Sequence, residues 1–468
     1  MTSNPNSLAA RDVATLIHPY TNLEKHKESG PTIMARGDGV YVHDDSGKRY
    51  LEGMAGLWST SLGFSEKRLI EAAVRQMEQL PTYHIFGGRS TEPSIELAEA
   101  LLKIAPKSLS KVLFANSGSE ANDQAAKLVW FYNNALGRPN KKRIIGRHRG
   151  YHGITVFSGS LTGLPHNHNA WDLPMGPVLR TDCPSHYLYG EPGESEAQFT
   201  DRLLKNLEEL ILREGPETIG AFIAEPVNGA GGVIVPPRDY FPRVQALLRQ
   251  HDILMIADEV ICGFGRTGQM FGCDTFGIEP DIMTVAKALS SAYLPISATL
   301  ISAPIAEAIT GLAGRLGNFA HGFTYAGHPV SSAVALETLK IYEERDIIGH
   351  VAEVGAHFQA KLRGFLDHPL VGEARGVGLI GALQLVTDKA SRTVLPAAAG
   401  IGAMIQAAAM EKGLIVRASP DAVYFCPPLI ITKAQVDELF SVVAEVLDIG
   451  LAEARRQGLL AADRQAAE

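Results

Sequence analysis

The 468-residue chain has few cysteines, no long apolar run and no block of basic residues. Its four cysteines stand far apart and form no CxxC pair, which argues against a zinc site or a disulfide framework. No apolar run reaches the ~18 residues that a membrane-spanning helix needs. The formal net charge is −8, so we expect no nucleic-acid partner. The first 20 residues lack the basic and apolar regions of a secretory signal, and we expect a cytoplasmic protein.

Four histidines lie close together in the sequence, at His148, His152, His166 and His168. They have no evident carboxylate partners, and the one pair four residues apart, His148 and His152, lies in a glycine-hinged loop and not on a helix. The sequence therefore predicts no metal site.

One stretch, residues 253–301, organises the rest of the chain. Three short apolar runs in it, at 253–257, 282–286 and 296–301, do not alternate with polar residues, which is typical of strands buried on both faces. The first run ends on Asp258 and Glu259, and the second ends on Lys287. In open α/β sheets, ligands bind at the edge where such strands end.

A lysine and a carboxylate at that edge suit pyridoxal phosphate. A desolvated lysine can present the neutral amine that forms a Schiff base with an aldehyde. A carboxylate facing the pyridine nitrogen keeps that nitrogen protonated and makes the ring an electron sink. The alternative is that Asp258 starts a loop and Lys287 caps a surface turn.

Strand and helix patterns alternate for about two hundred residues, which indicates a doubly wound α/β sheet. After a predicted strand at 112–115, the turn 116–119 opens a helix whose free N–H groups and hydroxyls suit a phosphate. Capping of the helix by Ser117 or Ser119 would use the same geometry. A glycine-hinged loop follows, and its Tyr151 is placed to lie flat on a ring.

A GxGxxG match occurs at residues 263–268, with Asp281 further on. A dinucleotide fingerprint needs its glycines directly after a strand and opening a helix. Here two acids close the strand and would repel a pyrophosphate, and the following residues are poor helix formers. We therefore do not expect a nicotinamide site.

Six motifs resemble, in order, those of class III, fold-type I pyridoxal-phosphate aminotransferases: SGSEAN (117–122), YHG (151–153), AEPVNGAGG (224–232), DEVICGFGRTG (258–268), TVAKALSS (284–291) and HGFTYAGHP (321–329). The resemblance covers about residues 39–428. It implies a large domain with a mostly parallel doubly wound sheet at 66–328, and a smaller α+β domain built from 1–65 and 329–468. It also implies a homodimer with shared active sites, with pairing of dimers into a tetramer left open.

The same resemblance implies the roles of individual residues. Lys287 is the Schiff-base lysine, Asp258 pairs with the pyridinium nitrogen, and Thr324 reaches the phosphate of the other subunit. Cofactor contacts are implied for Ser117, Gly118, Ser119, Tyr151, His152, Glu225, Asp258, Val260, Ile261, Lys287 and Thr324, and substrate contacts for Tyr20, Trp58, Phe86, Tyr151 and Arg417. From the residues alone, a place in the core is favoured over a pocket wall for Trp58 and Tyr20. The resemblance changes this interpretation to a pocket wall.

Three differences from other branches of this family narrow the range of substrates that we expect. The γ-aminobutyrate and ornithine branches carry Arg, an acid and Gln where this chain has Ile154, Ala230 and Ile261. Without the acid, Arg417 has no evident salt-bridge partner, so its long side chain can swing in to bind a carboxylate or out to admit an apolar group. The chain most resembles the amine–pyruvate branch, which implies ping-pong transfer from an amine or ω-amino acid to a keto acid.

Other functions stay open at this point. An aminomutase, racemase or decarboxylase can use the same cofactor and fold. A nicotinamide dehydrogenase that uses the glycine turn would not transfer nitrogen to added pyruvate. Neither would a dimer that has kept the cofactor-binding residues but has no catalytic activity.

Overall fold

The computed structural model describes residues 6–460. Strands and helices alternate through most of this range, as the sequence predicts. In the described residues the strands are β1 (Met34–Asp38), β2 (Tyr41–Asp44), β3 (Arg49–Glu52), β4 (Leu109–Ala115), β5 (Arg143–Arg147), β6 (Val178–Thr181), β7 (Ile219–Ala224), β8 (Leu254–Asp258), β9 (Ile282–Val285), β10 (Ser297–Ser302), β11 (Val371–Val377), β12 (Ile380–Asp388), β13 (Thr393–Val394), β14 (Leu414–Ile415), β15 (Arg417–Ser419) and β16 (Ala422–Phe425).

The α-helices of the same range lie between and around these strands. They are α1 (Leu8–Thr15), α2 (Leu23–Ser29), α3 (Ala55–Trp58), α4 (Lys67–Gln79), α5 (Glu92–Ile104), α6 (Gly118–Ala135), α7 (Val156–Leu161), α8 (His186–Tyr189), α9 (Glu196–Glu214), α10 (Tyr240–Gln250), α11 (Gly272–Phe276), α12 (Ala303–Leu316), α13 (Pro329–Glu344), α14 (Ile347–Arg363), α15 (Ile401–Glu411) and α16 (Lys433–Arg456). None of the helices in residues 6–460 is long and apolar enough to cross a membrane.

A seven-stranded sheet with the order β4-β10-β9-β8-β7-β5-β6 forms the centre of the molecule. Neighbouring strands from β9 through β6 are parallel, and β10 is antiparallel to both of its neighbours. The prediction of a mostly parallel doubly wound sheet is therefore confirmed. Because the parallel strands end at one edge, the polar residues that follow them are brought together there.

Both faces of this sheet are covered, which explains the apolar runs without alternation. In β7, Ala221 and Ile223 pack with the helices α6 and α12 on one face. Phe222 and Ala224 point to the other face and join the larger core, which includes residues of α9 and α10. A strand covered on both faces gains from an apolar residue at every position.

Two smaller sheets surround the central one. The four-stranded sheet β1-β2-β3-β14 joins both ends of the chain, because Leu414 pairs in parallel with Leu51. The order β11-β12-β16-β15 forms the second sheet, with β13 added at β12. The smaller α+β part is thus built from both ends of the chain, whereas its boundaries at residues 65 and 328 remain predictions.

Several elements were not predicted from the sequence, among them α2, β6 and α14. The helix α2 lies before residue 35, and its N-terminus is capped by Asn22. The strand β6 was missed because its four residues include the polar Arg180 and Thr181 and it pairs with a single neighbour at the sheet edge. α14, which packs against α16, was not predicted either.

Candidate active site

Three functional side chains follow three neighbouring strands of the central sheet. Asp258 is the last residue of β8, Glu225 comes directly after β7, and Lys287 comes two residues after the end of β9. All three strands are parallel and adjacent. The sheet therefore places two acids and one lysine along one edge.

Asp258 is held in one orientation by three donors. Its Oδ2 accepts hydrogen bonds from Asn122 Nδ2 and from His152 Nδ1, both at 2.8 Å. Its Oδ1 accepts from the backbone N–H of Val260 at 3.1 Å. The hydroxyl of Thr284 donates to Asn122 Oδ1 at 2.8 Å, which fixes the orientation of the amide. Asp258 is 3% exposed, so a buried and oriented carboxylate faces the site while keeping spare acceptor capacity.

The contact with Asp258 also decides the tautomer of His152. An ionised carboxylate only accepts hydrogen bonds, so Nδ1 of this ring carries the proton. The ring is fully buried, and its Nε2 has no hydrogen-bond partner within residues 6–460. In this structure His152 contacts Asp258, and its contact with the cofactor stays a prediction.

Lys287 occupies a strained backbone position. Its φ is +46°, in the left-handed region that non-glycine residues rarely adopt, and such strain is concentrated at functional sites. Burial lowers the pKa of its amine, while the negative charges of Asp258 and Glu225 raise it in part. A lowered pKa increases the fraction of neutral amine available as a nucleophile.

Glu225 connects the loop of Tyr151 and the glycine turn after β7 through hydrogen bonds. It is 3% exposed, and its two carboxylate oxygens accept the backbone N–H groups of Tyr151 and Gly229, each at 2.9 Å. Burial raises the pKa of Glu225, and the negative charge of Asp258 raises it further. The carboxyl therefore fixes the loop of Tyr151 and the glycine turn relative to each other.

The turn before α6 lies against the ends of β8 and β9. A Cβ on Gly118 would lie 3.0 Å from a methyl carbon of Val260 and 3.7 Å from the Cβ of Ala286. Ser117 caps the helix through Glu120 N–H at 3.2 Å, so the capping role is present. The first N–H groups of a helix have no intrahelical acceptor, which leaves a cradle for an anion beside Asp258 and Lys287.

The loop carrying Tyr151 closes over this turn. The N–H of Ile154 donates to Ser119 Oγ at 3.2 Å. Gly153 has φ +125°, and a Cβ there would lie 2.5 Å from Ser119 Oγ. Only glycine permits this close approach between the loop and the turn.

Trp58 and Ile261 lie in one apolar cluster. Trp58 is 4% exposed, and its ring lies 6.5 Å from that of Tyr424. Ile261 and Cys262 belong to the same cluster. Trp58 is thus a packed residue beside the chain segment that follows Asp258, and its substrate contact stays a prediction.

Tyr20, Tyr151 and Arg417 meet at the outer side of the site. Tyr20 contacts Asn167 through its hydroxyl, although its side chain is largely exposed. Burial raises the pKa of Tyr151, a hydrogen bond with Tyr20 raises it further, and the Arg417 charge lowers it. Within residues 6–460, no carboxylate forms an ion pair with Arg417.

Thr324 and Phe86 are both exposed, and the chain segments that carry them lie against each other. A Cβ on Gly322, two residues before Thr324, would lie 2.9 Å from the ring of Phe86. Phe86 is 45% exposed, and its ring contacts involve His84 and this segment rather than Trp58. Within residues 6–460, no ring contact joins Phe86 to Trp58.

The glycine turn at 263–268 has a structural contact that argues against a nucleotide site. Arg266 is 3% exposed and donates to the carbonyls of Leu379 and Pro427 at 2.8 and 2.6 Å. No helix opens directly from these glycines, since α11 begins at Gly272. The turn joins the central sheet to the smaller domain.

The family model for class-III aminotransferases matches residues 23–447. This chain belongs to the class-III aminotransferases. It is 51% identical over 433 residues to gamma-aminobutyrate transaminase 1, mitochondrial, of Oryza sativa subsp. japonica, which covers 92% of this chain and 84% of the relative. The family is a fold-type I, pyridoxal-phosphate-dependent one, so the aminotransferase, its cofactor and its fold class are as the sequence predicted.

Solved structures of class-III relatives are closely similar. The omega transaminase from Pseudomonas jessenii in complex with PMP superposes with a TM-score of 0.94 at 54% identity, covering 97% of this chain and 99% of that one. A transaminase with L-ala gives a TM-score of 0.88 at 55% identity, covering 90% and 99%. The thermostable omega transaminase PjTA-R6 variant W58M/F86L/R417L, engineered for asymmetric synthesis of enantiopure bulky amines, gives 0.93 at 54%, covering 95% and 99%.

The residues of the site fit pyridoxal phosphate. Asp258 would pair with the pyridine nitrogen, Lys287 would bond the aldehyde, and the turn at Gly118 and Ser119 would hold the phosphate. The missing Cβ atoms at Gly118 and Gly153 keep this cradle open. These assignments remain predictions for the individual residues.

Sequence inspection missed Asn122 and Thr284, which orient Asp258. Both lie inside motifs that were quoted for the resemblance, as the last residue of SGSEAN and the first of TVAKALSS. Only their polar side chains could have indicated this role, because an amide and a hydroxyl near the buried end of a strand need hydrogen-bond partners.

Asn122→Ala is expected to weaken cofactor binding because it removes one donor to the buried Asp258 carboxylate. A hydrogen bond to a charged group contributes about 1.5–3 kcal/mol, so the pyridoxal-phosphate dissociation constant should rise roughly tenfold or more. Titration of the apoenzyme by absorbance measures it. Thr284→Ser, which keeps the hydroxyl, is the control, and unchanged affinity in Asn122→Ala would contradict the role of this network.

Proposed function

We propose that the protein transfers an amino group from a primary amine or ω-amino acid to a keto acid, with pyruvate as the acceptor, in a ping-pong reaction. The observation that carries this proposal is Arg417, whose charge is close enough to lower the pKa of Tyr151 and which has no ion-pair partner in residues 6–460. A guanidinium held this way is available for a substrate carboxylate.

The side chains divide the chemistry among them. When bound, pyridoxal phosphate supplies an electron sink for the bonds of the substrate carbon. Asp258 would hold its negative charge at the ring nitrogen, and its three donors keep the carboxylate from rotating. Lys287 Nζ would accept the proton from the substrate carbon as general base and later release it as general acid. Its lowered pKa favours the neutral amine that this role requires.

Substrate selection takes place between Trp58 and Arg417. An acceptor such as pyruvate places its carboxylate on Arg417, and an apolar amine displaces this flexible side chain toward solvent. Two relatives support this assignment. One transaminase is described with L-ala, the aminated form of pyruvate, and the substitutions W58M/F86L/R417L in another match the residue types and numbers Trp58, Phe86 and Arg417 of this chain.

The amine donor has a second candidate. Plant relatives are named gamma-aminobutyrate transaminases, and γ-aminobutyrate is an ω-amino acid. With Ile154 and Ala230, this chain lacks the fixed carboxylate clamp that is expected for the γ-aminobutyrate branch. This absence favours a broader range of amine donors. A mutase, racemase or decarboxylase would not move nitrogen to pyruvate.

We also propose a homodimer in which Thr324 binds the phosphate of the partner's site. Thr324 is exposed in one chain, and Phe86 packs beside the same segment. Both would then enter the partner's site together, which explains why Phe86 does not meet Trp58 within one chain. A tetramer of two such dimers is compatible with this arrangement.

A cytoplasmic location is likewise a proposal. The names of the relatives assign one to mitochondria and another, gamma aminobutyrate transaminase 3 of Solanum lycopersicum, to chloroplasts.

The purified protein should be yellow, lose this absorbance on addition of a primary amine and regain it with pyruvate, forming alanine. Lys287→Ala should bind pyridoxal phosphate but show no steady-state transamination, because the proton carrier is absent. Lys205→Ala, an exposed lysine on α9, serves as the control. A protein that bleaches with amine without forming alanine from pyruvate would favour the mutase and decarboxylase alternatives.

Arg417→Ala should raise the KM for pyruvate about 10- to 100-fold, since a charge-assisted contact of about 1.5–3 kcal/mol is lost. The KM for an aromatic amine should change less than about twofold in the same variant. Arg392→Ala, another guanidinium outside this site, is the matched control. An equal loss for both substrates would contradict a swinging arginine.

Thr324 can be tested across the subunit boundary. Thr324→Val should weaken binding of pyridoxal phosphate about tenfold, because a hydroxyl contact to a charged group is lost. In mixed dimers of Lys287→Ala and Thr324→Val chains, one of the two sites combines native Lys287 with native Thr324 only if Thr324 acts across the interface. Half of the sites should then bind the cofactor natively and be active. Mixed dimers without any native site would overturn the shared site.

A further inference from the structure

Two histidines converge on one aspartate in the N-terminal segment, away from the sheet edge. Asp12 lies on α1, His26 on α2, and His18 in the segment between these helices. The Nε2 atoms of His18 and His26 lie 2.9 and 3.1 Å from the same oxygen, Asp12 Oδ1, and His18 Nε2 lies 3.0 Å from Oδ2. The three side chains are 32%, 10% and 11% exposed for His18, His26 and Asp12.

The spacing of these atoms matches that of a metal-ligand set. With metal–ligand bonds of about 2.1 Å, ligand atoms at right angles are separated by about 3.0 Å and tetrahedral ones by about 3.4 Å. The separations of 2.9 and 3.1 Å from Asp12 Oδ1 lie in this range, and one ligand atom from each of the three residues lies within 4.8 Å of the others. No large rearrangement is therefore needed to bind an ion.

The chemistry of the ligands selects the class of ion. Two imidazoles and one carboxylate suit zinc, cobalt, nickel or ferrous iron, whereas calcium and magnesium prefer oxygen ligands alone. A neutral imidazole can release Nε2 for a metal by carrying its proton on Nδ1.

We propose that Asp12, His18 and His26 bind one divalent ion of the zinc, cobalt and nickel class, and that this ion fixes the N-terminal segment. The site is separate from the Asp258–Lys287 edge. The ion would join α1, α2 and the segment between them through three protein ligands, with solvent filling its remaining positions.

The position of this cluster links it to the substrate pocket. Tyr20 follows His18 by two residues, contacts Asn167 and hydrogen-bonds Tyr151. The backbone of Tyr20 has φ +52°, so its orientation depends on how the segment is held. An ion bound at His18 would restrain the chain segment that places Tyr20 next to Tyr151.

Cobalt titration of the holoenzyme tests the site. The full chain, prepared without a histidine tag and treated with a chelator, is titrated with Co²⁺ at pH 7.5. We expect the wild-type protein to bind one equivalent of Co²⁺ per chain and to show visible d–d absorbance. The dissociation constant for Co²⁺ should be at least 30-fold larger in Asp12→Asn and in His26→Ala. His43→Ala, a histidine on β2, should bind as the wild type does.

Amide hydrogen exchange gives a second measurement on the same samples. Cobalt should slow exchange in residues 8–29 of the wild-type protein and leave those residues unaffected in His26→Ala. Absence of a cobalt band in the wild type overturns the proposal without reference to any variant. Equal binding in the wild type and His26→Ala would assign the metal to other surface groups and would also overturn it. Neither result bears on pyruvate transamination.

Discussion

The catalytic site depends on keeping one ionised carboxylate buried next to a lysine whose amine must lose its charge. Burying a charge is costly unless it is hydrogen-bonded, and Asp258 receives three donors at 2.8–3.1 Å. Asn122 belongs to the helix that carries the phosphate turn, and His152 belongs to the loop of Tyr151. The hydrogen bonds to Asp258 therefore also fix the relative positions of the groups that we predict to hold the ring and the phosphate.

The surrounding structure rigidifies the same loops from other directions. Glu225 binds two backbone N–H groups, and the buried Arg375 of β11 donates to the carbonyl of Gly232 through Nε at 2.8 Å and Nη2 at 2.7 Å. The glycine turn after β7 is thus clamped by the smaller domain on one side and by Glu225 on the other. Preorganised contacts of this kind leave little reorganisation for the reaction itself.

Much of this was accessible from the sequence, and the successes have a common cause. β7, β8 and β9 are buried on both faces, so their apolar runs carry a strong signal, and Glu225, Asp258 and Lys287 mark where the runs end. The failures concern contacts between distant segments. Nothing local shows that Asn122 reaches Asp258 across 136 positions, that Phe86 packs on Gly322, or that Asp12 gathers two histidines. The edge strand β6 was missed because two of its four residues, Arg180 and Thr181, are polar, and the helix α2 was missed because none of its residues is buried.

Neighbouring strands in a sheet are spaced by about 4.8 Å, and this spacing acts as a ruler for the catalytic groups. Glu225, Asp258 and Lys287 lie at or just after the ends of three neighbouring strands, so the spacing of these strands constrains their mutual separations. The residues predicted to carry the reaction and those predicted to select the substrate therefore belong to different parts of the molecule. Because Trp58 and Arg417 lie outside the central sheet, a substitution at either position leaves the strands that place Asp258 and Lys287 unchanged.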